Sequence, residues 1–71
     1  MKKYVVRWQQ MDEDGKYHWR YLRAIGIFKE DTVYNGTALV ESAIQFDEEA
    51  AEWICSILDI HHDLNPEMIR V

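Results

Sequence analysis

The chain has one cysteine, one proline and three glycines in 71 residues. A lone cysteine, Cys55, excludes an intrachain disulfide, whereas small secreted domains commonly carry several. The scarcity of proline and glycine excludes collagen-like and Pro/Gly-rich disordered chains. No apolar run approaches the roughly 20 residues of a membrane helix, and no basic stretch leads into a short apolar run as in an export signal. The expectation is a cytoplasmic chain that does not engage a membrane. Also missing are G-x-S-x-G, a Gly-rich phosphate loop and H-E-x-x-H. No catalytic residue, cofactor or metal is therefore expected, and the chain is not read as an enzyme. His61 and His62 are adjacent, so they diverge by about 100° on a helix and cannot chelate together. They are expected to complement the negative end of a helix dipole.

Cations are scarce in one half only. Residues 1–29 carry Lys2, Lys3, Arg7, Lys16, Arg20, Arg23 and Lys29 against Asp12, Glu13 and Asp14, a net of +4. Residues 30–71 set Arg70 against ten carboxylates, a net of −9, so the overall −5 conceals a strong split. Such a split bears on partners and solubility, not on fold. The chain is 48% hydrophobic, as expected of a globular protein, and its length predicts a single domain over 1–71. A domain of this size buries only about 60% of its unfolded surface, so its three tryptophans are either core fillers or partner anchors.

Tyr4 to Met11 alternates as a strand, Asp12-Glu13-Asp14-Gly15 is turn chemistry, and Lys16 to about Ala24 returns. Two registers are open. Pairing Met11 with Lys16 sets Trp8 against Trp19 and Val6 against Tyr21, with Arg7 opposite Arg20. Pairing Asp12 with Lys16 puts Val6, Trp8 and Leu22 inside, and Tyr17, Trp19 and Tyr21 on the other side with Arg7 and Arg23. Burial of the most aromatic face favours the first. Lys29 to Thr32 reads as a turn, and Asn35-Gly36 as the turn of a second tight hairpin over Val33–Val40. Ser42 to Phe46 is a short strand or an extended lead-in. Asp47 then caps a helix whose first turn carries Glu48 and Glu49, with Phe46 stapled on Ala51. Ala50, Ala51, Trp53, Ile54, Ile57, Leu58 and Ile60 form its apolar side, and Pro66 ends it near His62 or Asp63. Ile69 and Val71 point inward from a last strand. The fold expected is α+β: a small antiparallel sheet, one amphipathic helix on one face and a short C-terminal strand. Trp53, taken as core, should then cost about 3–5 kcal/mol on truncation to alanine.

Two surfaces carry the candidate functions. The acidic arc of the helix, Asp47, Glu48, Glu49, Glu52 and Asp59, would bind a basic protein partner. Arg7, Lys16, Trp19, Arg20 and Arg23 interleave cations and rings as single-strand nucleic-acid platforms do, which is the alternative. A structural or oligomerisation role through an exposed edge strand is the third, as monomer or homodimer.

The lead-in Ser42-Ala43-Ile44-Gln45-Phe46-Asp47-Glu48-Glu49-Ala50-Ala51-Glu52-Trp53-Ile54, together with the N-terminal Lys3-Tyr4-Val5-Val6-Arg7-Trp8, resembles small bacteriophage and prophage proteins. In these such a lead-in carries a strand into a helix. The resemblance implies an anti-defence class, including anti-CRISPR inhibitors and DNA mimics, with a host nuclease or defence complex as partner. The basic N-terminal half sets this chain apart from a uniformly acidic mimic.

Overall fold

A computed structural model describes residues 2–71. The element order is β1 (Tyr4–Met11), β2 (Tyr17–Ile27), β3 (Thr32–Thr37), a one-turn 3-10 helix (Val40–Ser42), α1 (Glu48–His62) and β4 (Glu67–Arg70). The strands form one antiparallel sheet in the order β3-β2-β1-β4, with α1 packed on one face, as expected for α+β. Val6, Trp8 and Leu22 of the sheet meet Ala51, Ile54 and Leu58 of α1, and Tyr4, Ile25, Tyr34, Phe46, Leu64 and Met68 pack around them.

The β1–β2 register is the one placing Trp8 opposite Arg20 and Arg7 opposite Tyr21, not the favoured pairing of Trp8 with Trp19. The turn explains the choice. Asp12 donates its backbone N–H to the Lys16 carbonyl at 2.8 Å, and its carboxylate accepts the N–H groups of Asp14 and Lys16, each at 2.9 Å. Gly15 supplies the left-handed residue (φ 80°) that closes a three-residue loop. This register also separates Arg7 from Arg20, which would oppose like charges across the strands. The Lys16 N–H, followed by His18, whose Nε2 lies at 2.5 Å from the other carboxylate oxygen, holds the Asp12 carboxyl below the ordinary aspartate range. A depressed carboxyl contributes stability above its unfolded value and loses it as pH falls through the folded one. Acidification through and below the usual aspartate range is therefore expected to loosen this turn, seen by NMR as a lower protection factor at the Lys16 amide, while the helix amides keep theirs.

The second tight hairpin is absent. Asn35 and Gly36 lie inside β3, and the chain turns earlier, where Phe28 N–H donates to the Asp31 carbonyl at 2.8 Å. Gly36 serves close approach instead of a turn. The Trp8 indole reaches across β2, and a Cβ on Gly36 would lie 2.8 Å from its Cζ2. Residues 44–46 fill a fork where β1 and β2 part. Ile44 N–H donates to the Leu22 carbonyl at 2.9 Å, and Phe46 exchanges both backbone bonds with Tyr4 at 2.8 Å. The extended lead-in is thus an isolated bridge to the sheet.

Asp47 caps α1, its carboxylate accepting the Ala50 N–H at 2.8 Å. Asp59 stops the helix: its carbonyl takes the Asp63 N–H and its carboxylate takes that of Asn65. His61 and His62 do more than face a dipole. The buried Thr32 hydroxyl bonds to His61 Nδ1 at 2.7 Å, and His62 Nε2 donates to the Thr32 carbonyl. The rings of His62, Tyr34 and Trp8 continue as an edge-to-face chain. This pins the end of α1 to the start of β3. In β4 it is Met68, opposite Val6, that joins the core; Ile69 lies beside Val5 on the other face and Val71 is exposed, correcting the inward assignment of Ile69 and Val71.

Candidate functional site

Helical geometry decides which side chains α1 offers outward. Ala51, Ile54 and Leu58 are buried and Cys55 is half-buried, at intervals of three and four residues. Residues displaced by about half a turn must then face away from the sheet. Trp53 is 56% exposed and Ile60 79% exposed, so Trp53 is not the core residue expected from the sequence. With the half-buried Ile57 these form an apolar stripe at i, i+4 and i+7 on the outer side of the helix. The sequence contains the signal for this: seven apolar positions on a 15-residue helix exceed what one stripe against a sheet requires.

Asp47, Glu48, Glu49, Glu52 and Asp59 are all exposed. Their roles separate. Asp47 and Asp59 are engaged by the backbone at the two helix ends. The side-chain carboxylates of Glu48, Glu49 and Glu52 accept no hydrogen bond and form no ion pair among the described residues, although the Glu52 backbone carbonyl accepts the Ser56 hydroxyl at 3.1 Å. Asp47, Glu49, Ala50, Glu52, Trp53 and Ser56 line a shallow open groove, so the tryptophan sits among carboxylates.

Cys55 lies at the border of the helix's buried side. Burial, then the nearby charges of Glu52 and Glu67, push its thiol above the ordinary cysteine value, leaving little thiolate at neutral pH.

The basic set is not brought together. Arg20 stands opposite Trp8 in the register, whereas Arg7 lies on the alternate face, opposite Tyr21. Arg7 is already occupied. Its guanidinium bonds the Glu67 carboxylate through Nη2 at 2.6 Å and Nε at 2.7 Å, and lies 3.7 Å from the Trp19 ring centroid. Burial opposes its charge, and the bonds to Glu67 and Tyr21 outweigh that, raising its basicity above the ordinary value. Lys16 and Arg23 are exposed on the turn and on β2. One ring, one ion-paired arginine and three dispersed cations do not make a continuous phosphate track.

Among the described residues no group of three or more His, Cys, Asp or Glu side chains is placed to hold a metal, and no helix is long and apolar enough to cross a membrane. No family model, curated protein or solved structure matches the chain.

Proposed function

We propose that the chain is a non-enzymatic protein-interaction module whose outer helix face docks on a basic protein surface. The observation that supports this most directly is Trp53, 56% exposed and set in a groove with Glu49 and Glu52. A ring that exposed contributes little to the core, and tryptophan is among the side chains most enriched at binding hot spots. Trp53, Ile57 and Ile60 have the spacing by which a helix fills an apolar groove. The unengaged carboxylates of Glu48, Glu49 and Glu52 select a partner whose groove is rimmed by lysine or arginine. They would accelerate encounter and make affinity fall with salt. Nucleic-acid-handling proteins carry surfaces of that kind, and inhibition of such an enzyme by covering its basic surface is the form of the function that the phage-protein resemblance implies.

The test is affinity capture from a lysate of the cell that the chain acts in, with wild type, Trp53→Ala and the triple change of Glu48, Glu49 and Glu52 to Lys. A basic protein should be retained by wild type at low salt and released as salt rises. The triple variant should not retain it, and Trp53→Ala should weaken the isolated pair by about 30-fold or more, the size of a hot-spot loss. Circular dichroism should show both variants folded. Equal retention by the triple variant would eliminate the helix face as the site.

A further inference from the structure

The two edges of the sheet are built differently. β4 is four residues long, begins and ends with Glu67 and Arg70, and follows Pro66. Charge, proline and shortness all discourage pairing with another strand. β3 has none of these protections: Thr32-Val33-Tyr34-Asn35-Gly36-Thr37 contains no charge and no proline. The irregularity in its pairing with β2 lies on β2, between Leu22 and Ala24.

The backbone of β3 can be followed group by group. Phe28 N–H donates to the Asp31 carbonyl, so Asp31 faces β2. Alternation along an antiparallel strand then turns the backbone groups of Thr32, Tyr34 and Gly36 outward. Thr32 is capped by its own chain: its N–H donates to the Asp31 carboxylate at 2.7 Å and its carbonyl accepts from His62. No hydrogen bond among the described residues reaches the outward groups of Tyr34 or Gly36. Exposed apolar side chains flank the open part of the edge: Val33 at 53%, Phe28 at 62%, Leu39 at 55% and Val40 at 42%.

We propose that this edge pairs with the same edge of a second copy. A two-fold axis through Asn35 sets Tyr34 of each chain opposite Gly36 of the other, and each such pair exchanges both backbone hydrogen bonds. The contact is self-complementary and isologous, and the blocked β4 edge stops it from propagating, so a closed dimer results. Charge does not oppose the arrangement. The chain carries −5, yet Val33 to Thr37 carry no charge. The acidic first turn of α1 is anchored beside β1 through Phe46 and Tyr4, whereas at the end nearest β3 Asp59 and Asp63 stand with His61 and His62. The antiparallel two-fold is perpendicular to the sheet, so both helices lie on one side of an extended sheet. Each outer helix face stays open, and dimerisation is separable from the helix-face function.

Sedimentation velocity over about 10 µM to about 1 mM should show an 8.5 kDa species giving way to its dimer, because a dimer's stability depends on protomer concentration. The Tyr34 and Gly36 amides should become protected over the same range, while Thr32 does not change. Asn35→Lys and Asn35→Glu each place like charges opposite one another across the axis and should each be monomeric. Their equimolar mixture should recover the dimer, an outcome that misfolding cannot produce. A monomer at every concentration, or a mixture of the two variants that stays monomeric, would overturn the proposal. Protection of Tyr34 and Gly36 only on adding a foreign strand peptide would also overturn it, by assigning the edge to another chain.

Discussion

Trp8→Ala is expected to unfold the domain, and Trp53→Ala to leave it folded with a stability change under about 1 kcal/mol. Both are tryptophans in amphipathic elements, and burial distinguishes them. Trp8 is 1% exposed and Trp53 56%. The Trp8 ring spans β2 to reach Gly36, meets Tyr34 edge-on with centroids 5.4 Å apart, and belongs to the cluster under α1. Truncating a buried tryptophan costs about 3–5 kcal/mol. A domain of this length has about 4–10 kcal/mol in all, so most of its stability would go. Urea melts on both variants check this. A Trp53→Ala loss comparable to that of Trp8→Ala would place Trp53 in the core and withdraw it as a binding anchor.

Gly36→Ala should destabilise by about 1–3 kcal/mol, the cost of forcing extra volume into a packed site. The sign is informative, because alanine in a strand is ordinarily better than glycine by about 0.5–1 kcal/mol. Here the new methyl would meet Trp8 Cζ2 at 2.8 Å, Cη2 at 3.1 Å and the Arg20 Cβ at 3.4 Å. The nearest atoms belong to a buried ring held by Tyr34 and α1, which cannot swing aside as an exposed side chain could. Phenylalanine lacks the indole atoms that reach Gly36. In a Trp8→Phe background, Gly36→Ala should therefore cost little, and the double-mutant cycle should show coupling of about 1 kcal/mol or more. Additivity of the two changes would mean that Gly36 is required for its backbone and not for the ring.

These residues also mark how far the sequence could be followed. Asp47 as cap, the helix end near His62, the acidic arc and the α+β class were all legible, because capping, dipole and periodicity act within a few residues. The β1–β2 turn was legible as a turn, but its register depended on whether Asp12 spent its carboxylate on the Lys16 N–H, a choice that moves every side chain to the other face. Asn35-Gly36 carried a strong local turn signal that the fold overrode. The reason is the Trp8 ring: it crosses β2 and leaves space only for a residue without Cβ, and that contact joins residues 28 positions apart.

The candidate surfaces divide in the same way. That Glu48, Glu49 and Glu52 would face water followed from their spacing alone. That Arg7 would be taken by Glu67 and Trp19, and so withdrawn from a basic patch, required β4 to lie beside β1. That Trp53 would stand among the carboxylates followed from which of two apolar stripes the sheet accepted. Interactions between near neighbours were enough to set the helix, its ends, its charge and the β1, β2 and β4 segments. Which face each strand and the helix would bury, and that Asn35-Gly36 would continue as strand, depended on the shape of a core assembled from four strands and α1 at once.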